Sequence, residues 1–173
     1  MTVQLSLVLG GARSGKSAYA ESLVEAYGAN AVYVATAAAG DSEMAGRIRD
    51  HQSRRGSGWR TVEEPLELAA TLIREAVPGN AVLVDCLTLW LANLMEAGHH
   101  LDNETADLLD TLVGLQAPVV LVSNQVGEGI VPDNELARRF RDHAGLLHQK
   151  IAGEAGQVIL VTAGLPQVLK RPS

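Results

Sequence analysis

The chain has 173 residues, 47% of them hydrophobic, and a net charge of −6. That length and apolar content suit one domain, residues 1–173, with a full core, and they exclude a disordered chain. The acidic balance argues against a nucleic-acid binder. The apolar runs are too short for a membrane span and residues 1–15 lack a signal-peptide pattern. The single cysteine, Cys86, cannot form an internal disulfide, so reducing cytoplasm is the expected location.

In chain order, Val3–Leu9 is apolar and predicts a buried strand. It runs into Gly10-Gly11-Ala12-Arg13-Ser14-Gly15-Lys16-Ser17, a complete G-x-x-x-x-G-K-S phosphate loop. Glycines let successive backbone N–H groups turn toward phosphate oxygens. Lys16 supplies a cation for the β- and γ-phosphates, and the Ser17 hydroxyl suits Mg²⁺. A helix over 16–27 follows and adds the positive end of its dipole. Strand, glycine loop and helix in this order are the setting the motif requires.

Further strands are predicted at Ala31–Ala35, Ala81–Asp85, Ala117–Ser123 and Gln157–Ala163, with Trp59–Glu63 a weaker sixth. Helices are predicted over 42–55, 66–77, 87–97, 103–114 and 134–154, with an N-cap at Asn103-Glu104-Thr105. Such alternation predicts an α/β fold, a mostly parallel sheet covered on both faces by helices. The segment Asn124–Asn134 reads as a long loop at a strand's carboxyl end, the edge where ligands sit in open α/β sheets.

Val82-Leu83-Val84-Asp85 is an apolar strand ending in a carboxylate. After a full phosphate loop, that places Asp85 beside the Mg²⁺ held by Ser17; the plainer reading is an N-cap for the next helix. On the predicted helix 42–55, Arg47, His51 and Arg55 stack at i−4, i and i+4. Flanking guanidiniums disfavour the protonated imidazole, and the neutral ring is the nucleophilic form. Spacing alone also fits a solvated helix carrying an incidental histidine. Glu63 and Glu64 offer carboxylates at a strand end. His99, His100, His143 and His148 lack ligand spacing and read as structural. Arg138, Arg139 and Arg141 fit either a phosphorylated ligand or a solvated helix face.

The phosphate loop is joined by Tyr33-Val34-Ala35-Thr36-Ala37, Asp41-Ser42-Glu43-Met44 with Arg47-Ile48 and His51, and Trp59-Arg60-Thr61-Val62-Glu63-Glu64-Pro65. Val84-Asp85-Cys86-Leu87-Thr88-Leu89-Trp90-Leu91, Ser123-Asn124-Gln125-Val126-Gly127, Gly129-Ile130-Val131-Pro132 and Ala163-Gly164-Leu165-Pro166 follow. In this order, through nearly the whole chain, they resemble the bifunctional adenosylcobinamide kinase / adenosylcobinamide-phosphate guanylyltransferase family of cobalamin biosynthesis. The resemblance implies a RecA-like, three-layer P-loop NTPase fold and a homotrimer. It implies phosphorylation of adenosylcobinamide by ATP or GTP, then transfer of GMP from GTP to adenosylcobinamide phosphate through a guanylyl-histidine at His51. Nucleotide contacts would fall on Gly10, Gly11, Ala12, Arg13, Ser14, Gly15, Lys16, Ser17, Ala35, Thr36, Ala37, Gln52, Ser53, Arg54, Arg55, Glu63 and Asp85. This chain has Gln125 where the family usually has Glu; Gln keeps hydrogen bonding but cannot take a proton.

Two other functions compete on the residues alone. A different small-molecule P-loop kinase would need no histidine nucleophile. A nucleotide switch would normally carry Asp-x-x-Gly and Asn-Lys-x-Asp, but Asp85 is followed by Cys86-Leu87-Thr88 and Asn124 by Gln125.

Overall fold

The computed structural model describes residues 5–37 and 58–171. In chain order the elements are β1 (Leu5–Gly10), α1 (Lys16–Ala26), β2 (Asn30–Ala35), β3 (Trp59–Glu63), α2 (Leu68–Glu75) and β4 (Asn80–Asp85). Then come α3 (Leu87–Glu96), α4 (Leu101–Gly114), β5 (Val119–Asn124), α5 (Glu135–Glu154), β6 (Gln157–Thr162) and β7 (Leu165–Lys170). The helix predicted over 42–55 lies outside the described residues.

The seven strands form one sheet in the order β3-β2-β4-β5-β1-β6-β7. All neighbours are parallel except β6 and β7, which form an antiparallel hairpin at one edge. The mostly parallel α/β sheet expected from the alternating pattern is therefore present.

Continuous apolar runs form the central strands because both faces are covered. On one face Leu7, Val84 and Leu121 pack with Leu72, Leu87, Leu91, Leu147 and Ile151 from α2, α3 and α5. On the other, Val8, Leu83, Val122 and Ile159 pack with Ala20 and Val24 of α1. Burying each large aliphatic side chain stabilises the fold by about 1.5–3 kcal/mol. Trp59–Glu63 is a true strand, but it lies at the sheet edge and is only partly buried, which explains its weak signal.

The hairpin strand β7 is exposed along its whole length. As an edge strand it carries Pro166 and Lys170, residue types that discourage further strand pairing. Lys170 Nζ donates to the carbonyls of Ala152 and Gly153 at 2.9 and 2.8 Å. These carbonyls belong to the last turn of α5, where a cation complements the helix dipole. α4 begins at Leu101, two residues before the predicted start. His100 is its N-cap without a side-chain bond, and the N–H groups of Asn103 and Glu104 donate to the His100 carbonyl. Asn103 is thus a first-turn residue and not the cap. α5 starts as expected, with the Asn134 side chain accepting from the Ala137 N–H at 2.8 Å.

Candidate active site

Gly10 closes β1 and faces Asn124, the last residue of β5. A Cβ on Gly10 would stand 2.7 Å from the Val161 carbonyl, so only glycine fits. Beyond it the chain curls through Arg13 at φ 56° and Gly15 at φ 92°. The left-handed conformation at Gly15 costs glycine little. The loop is braced from behind, because the Gly164 N–H in the β6–β7 turn donates to the Ser14 carbonyl at 2.8 Å.

Lys16 and Ser14 are both buried. Lys16 Nζ donates to the Gly11 carbonyl at 3.1 Å, so the cation lies folded along the loop. Ser17 follows in the first turn of α1 and is partly exposed. The first N–H groups of a helix lack intrahelical acceptors, which leaves this end suited to phosphate oxygens.

Asp85 closes β4, with only β5 between its strand and that of the phosphate loop. At about 4.8 Å per strand, the two chain ends are set about 10 Å apart along the carboxyl edge. Asp85 is partly buried, and its Oδ2 accepts from the Tyr33 hydroxyl at 3.2 Å. The capping alternative fails: the N-cap of α3 is Cys86, and it makes no side-chain cap bond. Ser17 and Asp85 supply one hydroxyl and one carboxylate, hard oxygen donors of the kind Mg²⁺ takes together with phosphate oxygens and water.

Ala35 is paired in register with Asp85 on one side and with Glu63 on the other. Glu63 is exposed at its strand end, four strands from β1. That spacing stretches the row from the phosphate loop to Glu63 over about 19 Å. Thr36, next to Ala35, is fully buried. Its hydroxyl donates to the Cys86 carbonyl at 2.7 Å and accepts from the Cys86 N–H at 2.8 Å. Its carbonyl accepts from Asn93 Nδ2 at 2.7 Å, and the same amide reaches the Pro65 carbonyl at 3.1 Å. Asn93 of α3 thus ties together the chain leaving β2 and the chain leaving β3. Sequence reasoning missed Tyr33 and Asn93, whose partners lie far away in sequence.

Burial, reinforced by the Asp85 carboxylate, pushes the Cys86 thiol above its ordinary pKa. It stays protonated and is not a nucleophile. Gln125 continues the β1–β5 pairing, its N–H donating to the Gly10 carbonyl at 3.0 Å. Its Nε2 donates to Glu128 at 3.2 Å, while its Oε1 is buried and accepts no hydrogen bond.

The histidines behave differently from one another. His148 Nε2 lies 2.7 Å from Ser123 Oγ, and burial lowers its pKa. His99 pairs with Glu104 at 2.8 Å. His100 and His143 line a cavity with Arg139. The second arginine cluster is divided: Arg138 donates to the Pro132 and Asp133 carbonyls at 2.9 and 2.8 Å, and Arg141 pairs with Asp142. His51, Gln52, Ser53, Arg54 and Arg55 lie outside the described residues, as does Arg47.

A family model described as cobinamide kinase / cobinamide phosphate guanyltransferase matches residues 6–169. The chain is 53% identical over 166 residues to the bifunctional adenosylcobalamin biosynthesis protein CobP of Pseudomonas aeruginosa, covering 95% of this chain and 96% of that protein. It is 39% identical over 179 residues to the bifunctional adenosylcobalamin biosynthesis protein CobU of Salmonella typhimurium, covering 95% and 98%. Among solved structures, the flagellar accessory protein FlaH of Methanocaldococcus jannaschii aligns with a TM-score of 0.54 at 12% identity, covering 98% of this chain and 79% of FlaH. The RadB recombinase aligns with a TM-score of 0.52 at 16% identity, covering 91% and 73%. Those two likenesses carry the fold alone, a three-layer α/β architecture with a mostly parallel sheet. With a phosphate loop, a strand-end aspartate and a match that runs almost end to end, the chain belongs to the cobinamide kinase / cobinamide phosphate guanyltransferase family.

Proposed function

We propose that this enzyme phosphorylates the aminopropanol hydroxyl of adenosylcobinamide with ATP or GTP. It then transfers GMP from GTP onto adenosylcobinamide phosphate, giving adenosylcobinamide-GDP and pyrophosphate. The reading rests on a complete phosphate loop one strand removed from Asp85, inside a family match over residues 6–169.

In the kinase step, residues 10–17 hold the β- and γ-phosphates. Lys16 exchanges the Gly11 carbonyl for phosphate oxygens and offsets charge on the phosphoryl group being transferred. Ser17 and Asp85 would hold Mg²⁺, which when bound screens the phosphates and fixes their geometry. In the second step, neutral His51 attacks the α-phosphorus of GTP, a P–N bond forms and pyrophosphate leaves. An oxygen of the corrinoid phosphate then displaces the histidine and forms the new P–O–P link. Arg47 and Arg55, which flank His51 on the helix predicted from the sequence, would neutralise the transferring group, while Ala35, Thr36, Ala37, Gln52, Ser53, Arg54 and Glu63 complete the nucleotide contacts. For Thr36 the contribution is positional, since its side chain is already engaged by Cys86. We read the enzyme as a cytoplasmic homotrimer, which sedimentation of the purified protein would test.

The deciding experiment incubates purified protein with Mg²⁺-GTP and adenosylcobinamide and identifies corrinoid products by mass. Adenosylcobinamide phosphate should appear first and adenosylcobinamide-GDP after it. Accumulation of the phosphate alone would leave only the kinase, and nucleotide hydrolysis without any corrinoid product would reject both activities.

A further inference from the structure

We infer that a cavity on the far side of the sheet from α1 receives the amide-bearing rim of the corrinoid acceptor. The inference rests on the function proposed above and supplies its missing acceptor site. The cavity measures about 400 Å³ and lies between the end of α3, the start of α4 and the first turns of α5. Its walls include Met95, His100, Asp102, Leu136, Arg139 and His143.

Its height relative to the sheet follows from one contact. His148 Nε2 touches Ser123 Oγ at 2.7 Å, and Ser123 is the penultimate residue of β5. That contact sets His148 level with the strand ends. At 1.5 Å per residue, His143 lies about 7 Å, Arg139 about 13 Å and Leu136 about 18 Å further along the helix axis toward its N-terminus. Since α5 leads the chain from the end of β5 back to the start of β6, that direction is beyond the carboxyl edge. The first two turns of α5 therefore rise past the edge that carries Gly10 and Asp85. A nucleotide on the phosphate loop lies over α1, so a bulky acceptor has room on the opposite side. Its reacting hydroxyl sits on a flexible aminopropanol arm, so the ring need not occupy the phosphate site.

The chemistry of the lining matches such a ring. A corrinoid has broad apolar surfaces fringed by uncharged amides, each able to donate and to accept. A wall suited to it needs apolar surface plus both kinds of polar partner. Met95, Leu101 and Leu136 give the first; Arg139, His100 and His143 offer donors, and Asp102 an acceptor. His99 is held by Glu104. Among the described residues no group of three or more His, Cys, Asp or Glu is placed to hold a metal ion. The loop that runs into the first turn of α5, which bears Leu136, carries exposed apolar side chains: Ile130 is 97% exposed and Val131 63%. Arg138 pins the end of that loop to α5 through the Pro132 and Asp133 carbonyls.

Hydrogen exchange of the wild-type protein with and without cobinamide tests the placement directly. Protection should appear in peptides covering 95–102 and 130–143; protection confined to other segments would overturn the proposal. Kinetics then give a second reading. The Arg139→Ala/His143→Ala variant and the Ile130→Asp variant should each raise the KM for cobinamide about tenfold or more while changing kcat and the KM for GTP little. Ile130→Asp alters a side chain that lies outside the core, so it keeps the test valid if the double variant folds poorly. An unchanged cobinamide KM in Ile130→Asp, together with an altered sedimentation coefficient, would assign this face to a subunit contact and refute the proposal. If wild-type protein neither binds nor converts cobinamide, the proposed function itself fails, and that outcome is separate from the others.

Discussion

The Tyr33 hydroxyl donates to Asp85 Oδ2 across 3.2 Å, between the adjacent strands β2 and β4. This bond orients the carboxylate on the carboxyl edge of the sheet. Asp85→Asn keeps the shape and removes the charge proposed to face Mg²⁺. Turnover should fall by about a hundredfold or more, with partial recovery at high Mg²⁺ or with Mn²⁺. Tyr33→Phe removes the orienting hydroxyl and should cost about three- to tenfold, mainly as a higher Mg²⁺ requirement. Titrating activity against Mg²⁺ in both variants checks the order; equal Mg²⁺ curves for wild type and Asp85→Asn would separate Asp85 from the cation.

Lys16 lies buried along its own loop, bonded to the Gly11 carbonyl. Lys16→Ala removes that bond and the cation meant for the phosphates. Its side chain contributes no apolar core, so thermal stability should change little. Nucleotide affinity should drop, and kcat/KM should fall about a hundredfold or more. Equilibrium binding of a fluorescent nucleotide, read beside a melting curve, separates a lost site from a lost fold.

His51 is assigned the covalent step on the chemistry of a neutral imidazole and on family resemblance. GTP labelled at the α-phosphate should mark the protein through an acid-labile, base-stable bond, as a phosphoramidate does. His51→Ala should lose the label and GMP transfer, while γ-phosphoryl transfer, which needs only the phosphate loop and the cation, continues. Label retained in His51→Ala would place the nucleophile at another residue.

The phosphate loop was legible because its residues are contiguous, and Asp85 because an apolar run ends on it. The central strands were legible for a related reason, since burial on both faces leaves an unbroken apolar run. What depends on distant partners was not. Thr36 reads as a loop residue until Cys86, fifty positions away, is seen to take its hydroxyl. Asn93 reads as one helical polar residue until it meets Thr36 and Pro65. The strand Leu165–Lys170 gave no signal because it is exposed on both faces and contains Pro166. Its turn also lacks the Asn-Gly pair that marks two-residue hairpins.

That turn carries a correctable strain. Ala163 has φ 52° and Gly164 φ 79°, both in the left-handed region, and Ala163 is exposed. A Cβ residue pays about 1–2 kcal/mol there, and Asn tolerates the conformation better than Ala. Ala163→Asn should raise Tm by about 2–4 °C for a chain of this size. Gly164→Ala should do the reverse and also weaken nucleotide binding, because the Gly164 N–H braces the phosphate loop through the Ser14 carbonyl. Melting curves together with nucleotide titrations distinguish the two effects, and a Gly164→Ala protein that melts lower but binds nucleotide normally would show the brace to be dispensable.

His148 couples the carboxyl end of β5 to pH. Burial lowers its pKa below the ordinary 6.5, and the unfolded chain regains the ordinary value. Between those two values the unfolded state binds a proton that the folded state refuses. Stability should therefore be full above about pH 6.5 and decline as pH falls toward the lowered folded pKa. His148→Gln keeps a polar group near Ser123 Oγ but does not titrate. It should lower stability at pH 7.5 by about 1 kcal/mol or more, through poorer packing and a longer hydrogen bond. It should also flatten the decline between pH 7 and pH 5. Urea midpoints for both proteins across that range provide the measurement. Parallel pH slopes would show that other groups control acid sensitivity and that the His148–Ser123 contact tolerates a charged ring.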